Sequence, residues 1–271
     1  MKPSMLTVVV SALVLIAAPA AHAQMPNTVF LEELTRTELR EAVRSEKTAA
    51  IVPIGGTEQN GPHMALGKHN VRVKVLAEKI ARALGNAVVA PVLAYVPEGS
   101  LDPPGGHMRY PGTLTVPDDA FQKVVEYAAR SLRLHGFQDV VFLGDHGSTQ
   151  AGQSRVAARL NREWAATGVR VHAIEDYYRA STSGFGRLLV TRGFRPDEAG
   201  GHASLADTSL TLALDPRLVR MDRLRSAAGA RGADGVEGDP SRSSAALGEL
   251  GTELIVTQTV EAIRKAIAQR R

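Results

Sequence analysis

Residues 49–70 read AAIVPIGGTEQNGPHMALGKHN, and this stretch decides how the chain folds. Its apolar start, residues 49–54, predicts a buried strand. The loop beyond that strand carries one carboxylate, at Glu58, and two imidazoles, at His63 and His69, together with the amide of Asn60. Open α/β sheets place their chemistry in loops at the carboxyl ends of strands. Because carboxylates and imidazoles together bind divalent metal ions, the stretch predicts a metal site at this end of a sheet.

Apolar runs alternate with amphipathic segments along the rest of the chain. The predicted strands are residues 49–54, 87–93, 139–143 and 169–174. The predicted helices are residues 37–45, 71–84, 118–134, 151–167 and 249–268. Strands separated by helices in this way favour a parallel sheet covered by helices on both faces. We therefore expect an α/β fold with three layers (αβα) and a mostly parallel sheet.

The N-terminus has the pattern of an export signal. Lys2 precedes an apolar run at residues 5–18, and the small-residue site Ala21-His22-Ala23 follows. We therefore expect residues 1–23 to be a signal peptide and residues 24–271 to form a single domain. The alternative is an N-terminal membrane anchor that is not cleaved. The mature protein is expected to be exported, most simply to a periplasm, and not to be attached to a membrane.

Composition excludes several classes of function. The chain has no cysteine, so disulfides, thiolate nucleophiles and Cys-ligated zinc are excluded. The formal net charge of +4 comes from scattered basic residues without a block of like charge, and only 4% of residues are aromatic. Nucleic-acid binding surfaces need concentrated basic charge and stacking aromatics, so we expect no nucleic-acid partner.

Several short segments rich in charged and polar residues follow one another in a recognisable order. They are EQNGPHMALGKH at residues 58–69, HMRYPGTL at 107–114, GDHGST at 144–149, HASLADTS at 202–209 and GDP at 238–240. In order and spacing they resemble the motifs of the creatininase (creatinine amidohydrolase) family. The resemblance implies a creatininase-like fold and a metal-dependent hydrolase that cleaves a non-peptide C–N bond of a small molecule, expected to be a cyclic amide. It also implies a homo-oligomer, often a hexamer.

The resemblance implies a metal site, but with altered ligands. The family holds two metal ions, and Glu58 and His146 match two of its ligands. Asn60 stands where the family has a His, His69 where it has the bridging Asp, and Ser148 where creatininase has a further Glu. A carboxylate can bridge two cations, whereas a neutral imidazole offers one lone pair. We therefore expect one divalent cation, zinc or alternatively manganese or iron, held by Glu58, His69 and His146, with a metal-bound water as nucleophile.

The remaining matched positions are expected to assist this site. His202 matches the family's catalytic His and is expected to pass a proton to the leaving nitrogen. Four further residues are expected to support the ligands: Asn60, His63, Asp145 and Asp207. Asp145 could instead be an additional ligand.

The Gly/Pro-rich loop at residues 97–112 matches no ligand position. Glu98 and Asp102 are expected to face solvent. His107 and Tyr110 are expected in a lid or in a contact between subunits.

Two other functions remain compatible with the altered motif. The chain could be a catalytically altered or inactive descendant that binds a ligand or a protein partner. It could also retain catalysis on a lactone, because a single metal-bound hydroxide can attack either type of carbonyl.

Overall fold

Four parallel strands form one sheet in the computed structural model, which describes residues 26–229 and 234–269. The strand order is β2-β1-β3-β4. The strands are β1 (Ala49–Ile54), β2 (Ala87–Val89), β3 (Asp139–Gly144) and β4 (Arg170–Ala173). The predicted signal peptide, residues 1–23, lies outside the described residues.

Helices connect and cover these strands. They are α1 (Arg36–Arg44), α2 (Lys68–Leu84), α3 (Asp118–Leu134), α4 (Thr149–Glu163), α5 (Glu175–Arg179), α6 (Phe185–Thr191), α7 (Pro196–Ala199), α8 (Leu205–Leu214), α9 (Leu224–Gly229) and α10 (Ala245–Gln269). A π-helical turn, Ala180–Gly184, joins α5 to α6. Among the described residues, no helix combines the length and the apolar character that crossing a membrane requires.

The two faces of the sheet are packed against different helices. Ala49 and Ile51 of β1 belong to a core shared with α2, α8 and α10. Val52 and Ile54 belong to a second core, shared with α3 and α4. Successive residues of a strand point to opposite faces, so a strand buried on both sides is apolar throughout. The predicted three-layer αβα fold is therefore confirmed.

The chain changes direction between β1 and β3. From β1 the chain runs through α2 to β2 at one edge, then through α3 to β3 on the other side of β1. The helices on either side of this reversal cover opposite faces, which leaves a crevice beyond the carboxyl ends of β1 and β3. Glu58 follows β1, and Asp145 and His146 follow β3, so both motifs open into the same crevice.

Strand β2 is shorter than its sequence pattern predicts. It ends at Val89, although the apolar run continues to residue 93. Pro91 has no backbone N–H to donate to a ladder, which ends regular pairing. The chain nevertheless stays beside β1, because the N–H of Leu93 donates to the carbonyl of Pro53 (3.0 Å).

Helices α8 and α10 approach most closely at Gly248, which gives a testable prediction. A Cβ at Gly248 would collide with the backbone carbonyl of Ser209 and lie 2.7 Å from the Cβ of Ala213. We expect Gly248→Ala to lower the free energy of unfolding by about 1–3 kcal/mol, because overpacking forces helices apart. Urea denaturation measures this. Gly168→Ala is the matched control, since a Cβ at Gly168 meets no atom within 4 Å. Equal stability of the two variants would contradict the prediction.

Candidate functional site

A cavity of about 790 Å³ opens beyond the carboxyl ends of β1 and β3. Glu58 and His146 lie on its sheet side. The π-helical turn and α6 form part of the opposite wall, contributing Ser181 and Arg187. Single π turns inside helices frequently occur at functional sites.

The first turns of α2 bring three basic side chains into the cavity wall. The helix begins at Lys68, three residues earlier than the sequence predicted. Arg72 is therefore one helical turn from both Lys68 and His69, four and three residues along the chain, and all three side chains are buried. Buried cations at a helix N-terminus require anionic partners, which other elements of the fold supply.

Glu58 lies at the centre of the site and is fully buried. Its Oε1 lies 2.6 Å from Nε2 of His69 and 3.8 Å from Nζ of Lys68. Its Oε2 lies 2.9 Å from Nε2 of His146 and 3.2 Å from Nε2 of His107. Burial raises the pKa of Glu58, but the charge of His69 and hydrogen bonds from His146 and His69 outweigh it, so the pKa lies well below its usual range. Glu58 is therefore an ionised carboxylate surrounded by imidazoles.

The three predicted ligands lie together, but His69 is engaged differently from the other two. Its Nε2 contacts Glu58 and its Nδ1 contacts Oδ2 of Asp145, each at 2.6 Å. Nη2 of Arg72 also lies 3.2 Å from this Nδ1, so both ring nitrogens of His69 are already in contact with protein groups in this arrangement. The ligand atoms that lie within 4.8 Å of one another belong instead to Glu58, His107 and His146.

His107 comes from the loop at residues 97–112 and has no counterpart among the predicted ligands. Its Nδ1 lies 2.9 Å from Nε2 of Gln59, which also donates to the carbonyl of Gly235 (3.2 Å). The amide of Gln59 thus holds the His107 ring beside Glu58. The ring also lies 4.5 Å, between centroids, from that of His202. Only the folded loop brings His107 to the cavity, so the position predicted for a lid or a subunit contact lies instead beside the candidate ligands.

The surroundings of His146 fit a cation. Its Nδ1 lies 2.7 Å from Oγ of Ser148, whose hydroxyl donates to the carbonyl of Pro97. The backbone N–H of Ser148 also lies 3.3 Å from Nδ1, so Ser148 orients the ring through both its side chain and its backbone and leaves Nε2 facing the cavity. That nitrogen lies 2.9 Å from Glu58 Oε2 and 3.1 Å from Glu98 Oε2. Burial lowers the pKa of His146 more than the hydrogen bond to Glu58 and the charge of Glu58 raise it. Two carboxylates and an imidazole nitrogen converging in this way are a suitable donor set for a divalent metal ion.

Asp145 and Asp207 neutralise the cations of α2. Asp145 accepts from His69, from Nε of Arg72 (2.8 Å) and from the hydroxyl of Tyr177 (2.5 Å). Asp207 accepts from Lys68 and Arg72. Burial raises the pKa of each aspartate, but the neighbouring cations, Arg72 for Asp145 and Lys68 for Asp207, outweigh it and keep the pKa low. Both aspartates support α2, and three donors already engage the Asp145 carboxylate.

Asn60 and His63 lie in the loop after β1 and outside this cluster of ligands. The side-chain amide of Asn60 donates to the carbonyls of Glu58 (2.9 Å) and Ala65 (3.0 Å), closing the loop on itself. His63 is fully buried, with its Nε2 2.9 Å from Oγ1 of Thr208, and burial lowers its pKa to about 4. Both residues hold the loop that presents Glu58.

His202 faces the cavity with a defined tautomer. Its Nε2 donates to the carbonyl of Gln59 (2.9 Å), so Nδ1 carries the lone pair and lies 3.6 Å from Glu58 Oε1. Burial lowers the pKa of His202 to about 3, which keeps the ring neutral at pH 7. The next residue, Ala203, has φ +56°, an uncommon conformation for a non-glycine residue that its N–H bond to Asp207 (2.9 Å) maintains. A neutral imidazole with an acceptor nitrogen toward the cavity can receive a proton.

Glu98 contradicts its predicted exposure. Asp102 of the same loop is exposed as expected, but the Glu98 side chain has no exposed surface. Burial and the negative charge of Glu58 raise the pKa of Glu98 to about 9. No local sequence pattern distinguishes these two acids, because the burial of Glu98 depends on the folding of the loop over the end of β1.

Comparisons with known proteins agree with this geometry. The chain matches the sequence model of the creatininase family, described as creatinine amidohydrolase, over residues 32–263. It is 27% identical over 203 residues to a creatinine amidohydrolase of Pseudomonas putida, covering 74% of this chain and 77% of that protein. It is also 27% identical over 220 residues to a mycofactocin precursor peptide peptidase of Mycolicibacterium smegmatis, covering 79% and 83% of the two chains.

A solved structure described as "Creatininase Mn" has the same fold. It superposes with a TM-score of 0.72 at 26% sequence identity, covering 89% of this chain and 99% of that chain. The family match spans the strands, the cavity and the motifs that supply Glu58, His146 and His202. The chain therefore belongs to the creatininase family of amidohydrolases.

Proposed function

We propose that the protein is a metal-dependent hydrolase that cleaves an amide C–N bond in a small-molecule substrate, with a cyclic amide as the expected class. The observation that carries the proposal is the approach of two imidazole nitrogens to one carboxylate oxygen, Oε2 of Glu58, in the wall of a deep cavity. Family membership supports it. The two relatives compared above are named as an amidohydrolase and a peptidase, and both names denote cleavage of amide C–N bonds.

Glu58, His107 and His146 would hold one divalent cation. This set has His107 in place of the predicted His69, because the ligand atoms of Glu58, His107 and His146 lie within 4.8 Å of one another, whereas His69 lies between Glu58 and Asp145. One carboxylate with two imidazoles suits zinc, and the structure described as "Creatininase Mn" makes manganese an equal candidate. When bound, such a cation polarises a carbonyl oxygen and increases the acidity of a coordinated water.

The surrounding residues orient this set and move protons. His69, held by Asp145, donates to Oε1 of Glu58 and leaves Oε2 directed at His146 and His107. His202 can accept a proton at Nδ1 and pass it to the leaving nitrogen. A cavity of about 790 Å³ falls within the usual range for small-molecule sites. Action in a periplasm and assembly into a homo-oligomer are parts of the same proposal.

Removal and return of metal test the proposal. We expect chelation of the full purified chain to lower its amidase activity at least about a hundredfold, with Zn²⁺ or Mn²⁺ restoring it, because the cation supplies several kcal/mol of charge stabilisation. The assay uses creatinine, other cyclic amides, lactones and short peptides, with released amine or acid as the readout. Undiminished activity in the metal-free protein would contradict the metal requirement. Hydrolysis of lactones alone, or no turnover by a metal-loaded protein, would contradict the amidase assignment.

A further inference from the structure

Glu98 is a buried acid beside the cavity, and among the described residues it forms no ion pair with a lysine or an arginine. Among the buried or half-buried acids there, Glu58 contacts Lys68, and both Asp145 and Asp207 contact Arg72. Neither carboxyl oxygen of Glu98 accepts a hydrogen bond from the backbone, a hydroxyl, a lysine or an arginine among the described residues, although the side chain is fully buried beside Glu58 and His146. An isolated buried carboxylate is strongly unfavourable, so its retention calls for a cation or a proton at this position.

The backbone around Glu98 aims its carboxyl group at the candidate ligands. The N–H of Glu98 donates to Oγ1 of Thr115 (3.0 Å), and Thr115 donates in turn to the carbonyl of Gly99 (3.3 Å). One residue earlier, the carbonyl of Pro97 accepts from Ser148, which also holds His146. Oε2 of Glu98 consequently lies 3.1 Å from Nε2 of His146.

The chain also leaves room for this carboxyl group. A Cβ at Gly56 would lie 2.7 Å from Oε1 of Glu98 and 3.1 Å from a methyl group of Val96. The absence of a side chain at Gly56 therefore leaves space for the Glu98 carboxyl group beside the candidate ligands. The hydrogen bonds of Glu98 and Pro97 and the space at Gly56 together place the carboxyl group of Glu98 beside the candidate ligand His146.

We infer that Glu98 is a ligand of the same cation as Glu58 and His146, so that the loop at residues 97–112 supplies two ligands, Glu98 and His107. The inference rests on the proposed function, since it adds a carboxylate to that metal site. Two carboxylates and two imidazoles complete a four-ligand set from this chain, and the two negative charges balance a divalent cation. The loop is then a structural part of the metal centre, and Ser148 supports His146.

Metal binding by a Glu98→Gln variant tests the inference without measuring activity. The apo form of the full chain is titrated with Zn²⁺ alone, and Co²⁺ is used to record the absorption spectrum of the bound ion, which depends on the number and type of ligands. Loss of residues that only orient metal ligands costs about 10–100-fold in affinity. We therefore expect Glu98→Gln to bind Zn²⁺ at least about 100-fold more weakly than the natural chain and to change the Co²⁺ spectrum.

A control and a second measurement separate a ligand from a structural residue. Asp102→Asn removes an exposed acid from the same loop and should leave both the affinity and the spectrum unchanged. Glu98→Gln should leave the melting temperature of the metal-free protein unchanged or raise it, because glutamine keeps the shape of the side chain and removes a buried acid that forms no ion pair with a lysine or an arginine. Its melting temperature should fall below that of the natural chain only when metal is present.

The outcomes distinguish this inference from the proposed function. If the natural chain binds one zinc ion and Glu98→Gln binds it within threefold with the same Co²⁺ spectrum, Glu98 is not a ligand, while the proposed function stands. If Glu98→Gln instead lowers the melting temperature of the metal-free protein, the residue is structural and the inference fails. If the natural chain binds no Zn²⁺ or Mn²⁺, the proposed function fails and the inference fails with it.

Discussion

Glu58→Gln should abolish stoichiometric metal binding and weaken zinc affinity by about a thousandfold or more, since even residues that only orient a ligand cost 10–100-fold. Glu58 contacts His107 and His146 through one oxygen and His69 and Lys68 through the other. Glutamine keeps the shape but replaces one oxygen with an NH₂ group, which has no lone pair for a cation. Metal analysis of the purified protein and zinc titration measure the effect.

Glu41→Gln is the matched control for Glu58→Gln. Glu41 is exposed on α1 and is not among the residues that line the cavity, and the substitution makes the same change of charge. It should retain about one equivalent of metal, the content expected of the natural chain. If Glu58→Gln binds zinc as tightly as the natural chain does, Glu58 is not a metal ligand.

Arg72→Met should lower the free energy of unfolding by about 3–5 kcal/mol, the usual cost of removing one partner from a buried ion pair. Arg72 is 4% exposed and contacts both Asp145 and Asp207. Methionine fills much of the same volume but leaves two acids with less positive charge around them. Urea denaturation at pH 7 measures the loss.

Two further variants test the reason for that loss. Arg82→Met removes a guanidinium from the same helix, but Arg82 is 44% exposed and pairs with Glu78 one turn away, so the expected change is below about 1 kcal/mol. Adding Asp145→Asn to Arg72→Met should recover part of the stability, because it removes one of the unpaired charges. Similar losses for Arg72→Met and Arg82→Met would contradict a stabilising role for the buried network.

Local patterns in the sequence are enough to predict the layers of the fold. The bounds of β1 and α3 agree with the prediction to the residue. A continuous apolar run indicates a strand buried on both faces, and apolar residues at helical spacing indicate a helix buried on one face. The helical segments between β4 and α8 were not predicted. They are short, and their geometry includes a π-helical turn that no simple periodicity describes.

Part of the candidate site was predictable because its residues follow strands. Glu58 and His146 lie in loops directly after β1 and β3, and parallel pairing of those strands brings the two loops together. His69 was placed in the site, but its detailed contacts depend on the early start of α2 and on Asp145, which the motif did not reveal. The roles of Glu98 and His107 depend on how a long loop folds over the sheet.

The sequence by itself determined the three-layer architecture, the membership of a family and the approximate position of the site. These properties follow from hydrophobic periodicity and from motifs that are local in the chain. Only the tertiary structure decided that His107 and Glu98 lie beside Glu58 and His146, while His69 is held between two carboxylates. The physical reason is that ligation and burial depend on distances between segments far apart in sequence. Those distances are set by the packing of the loop and of α2 at the end of the sheet.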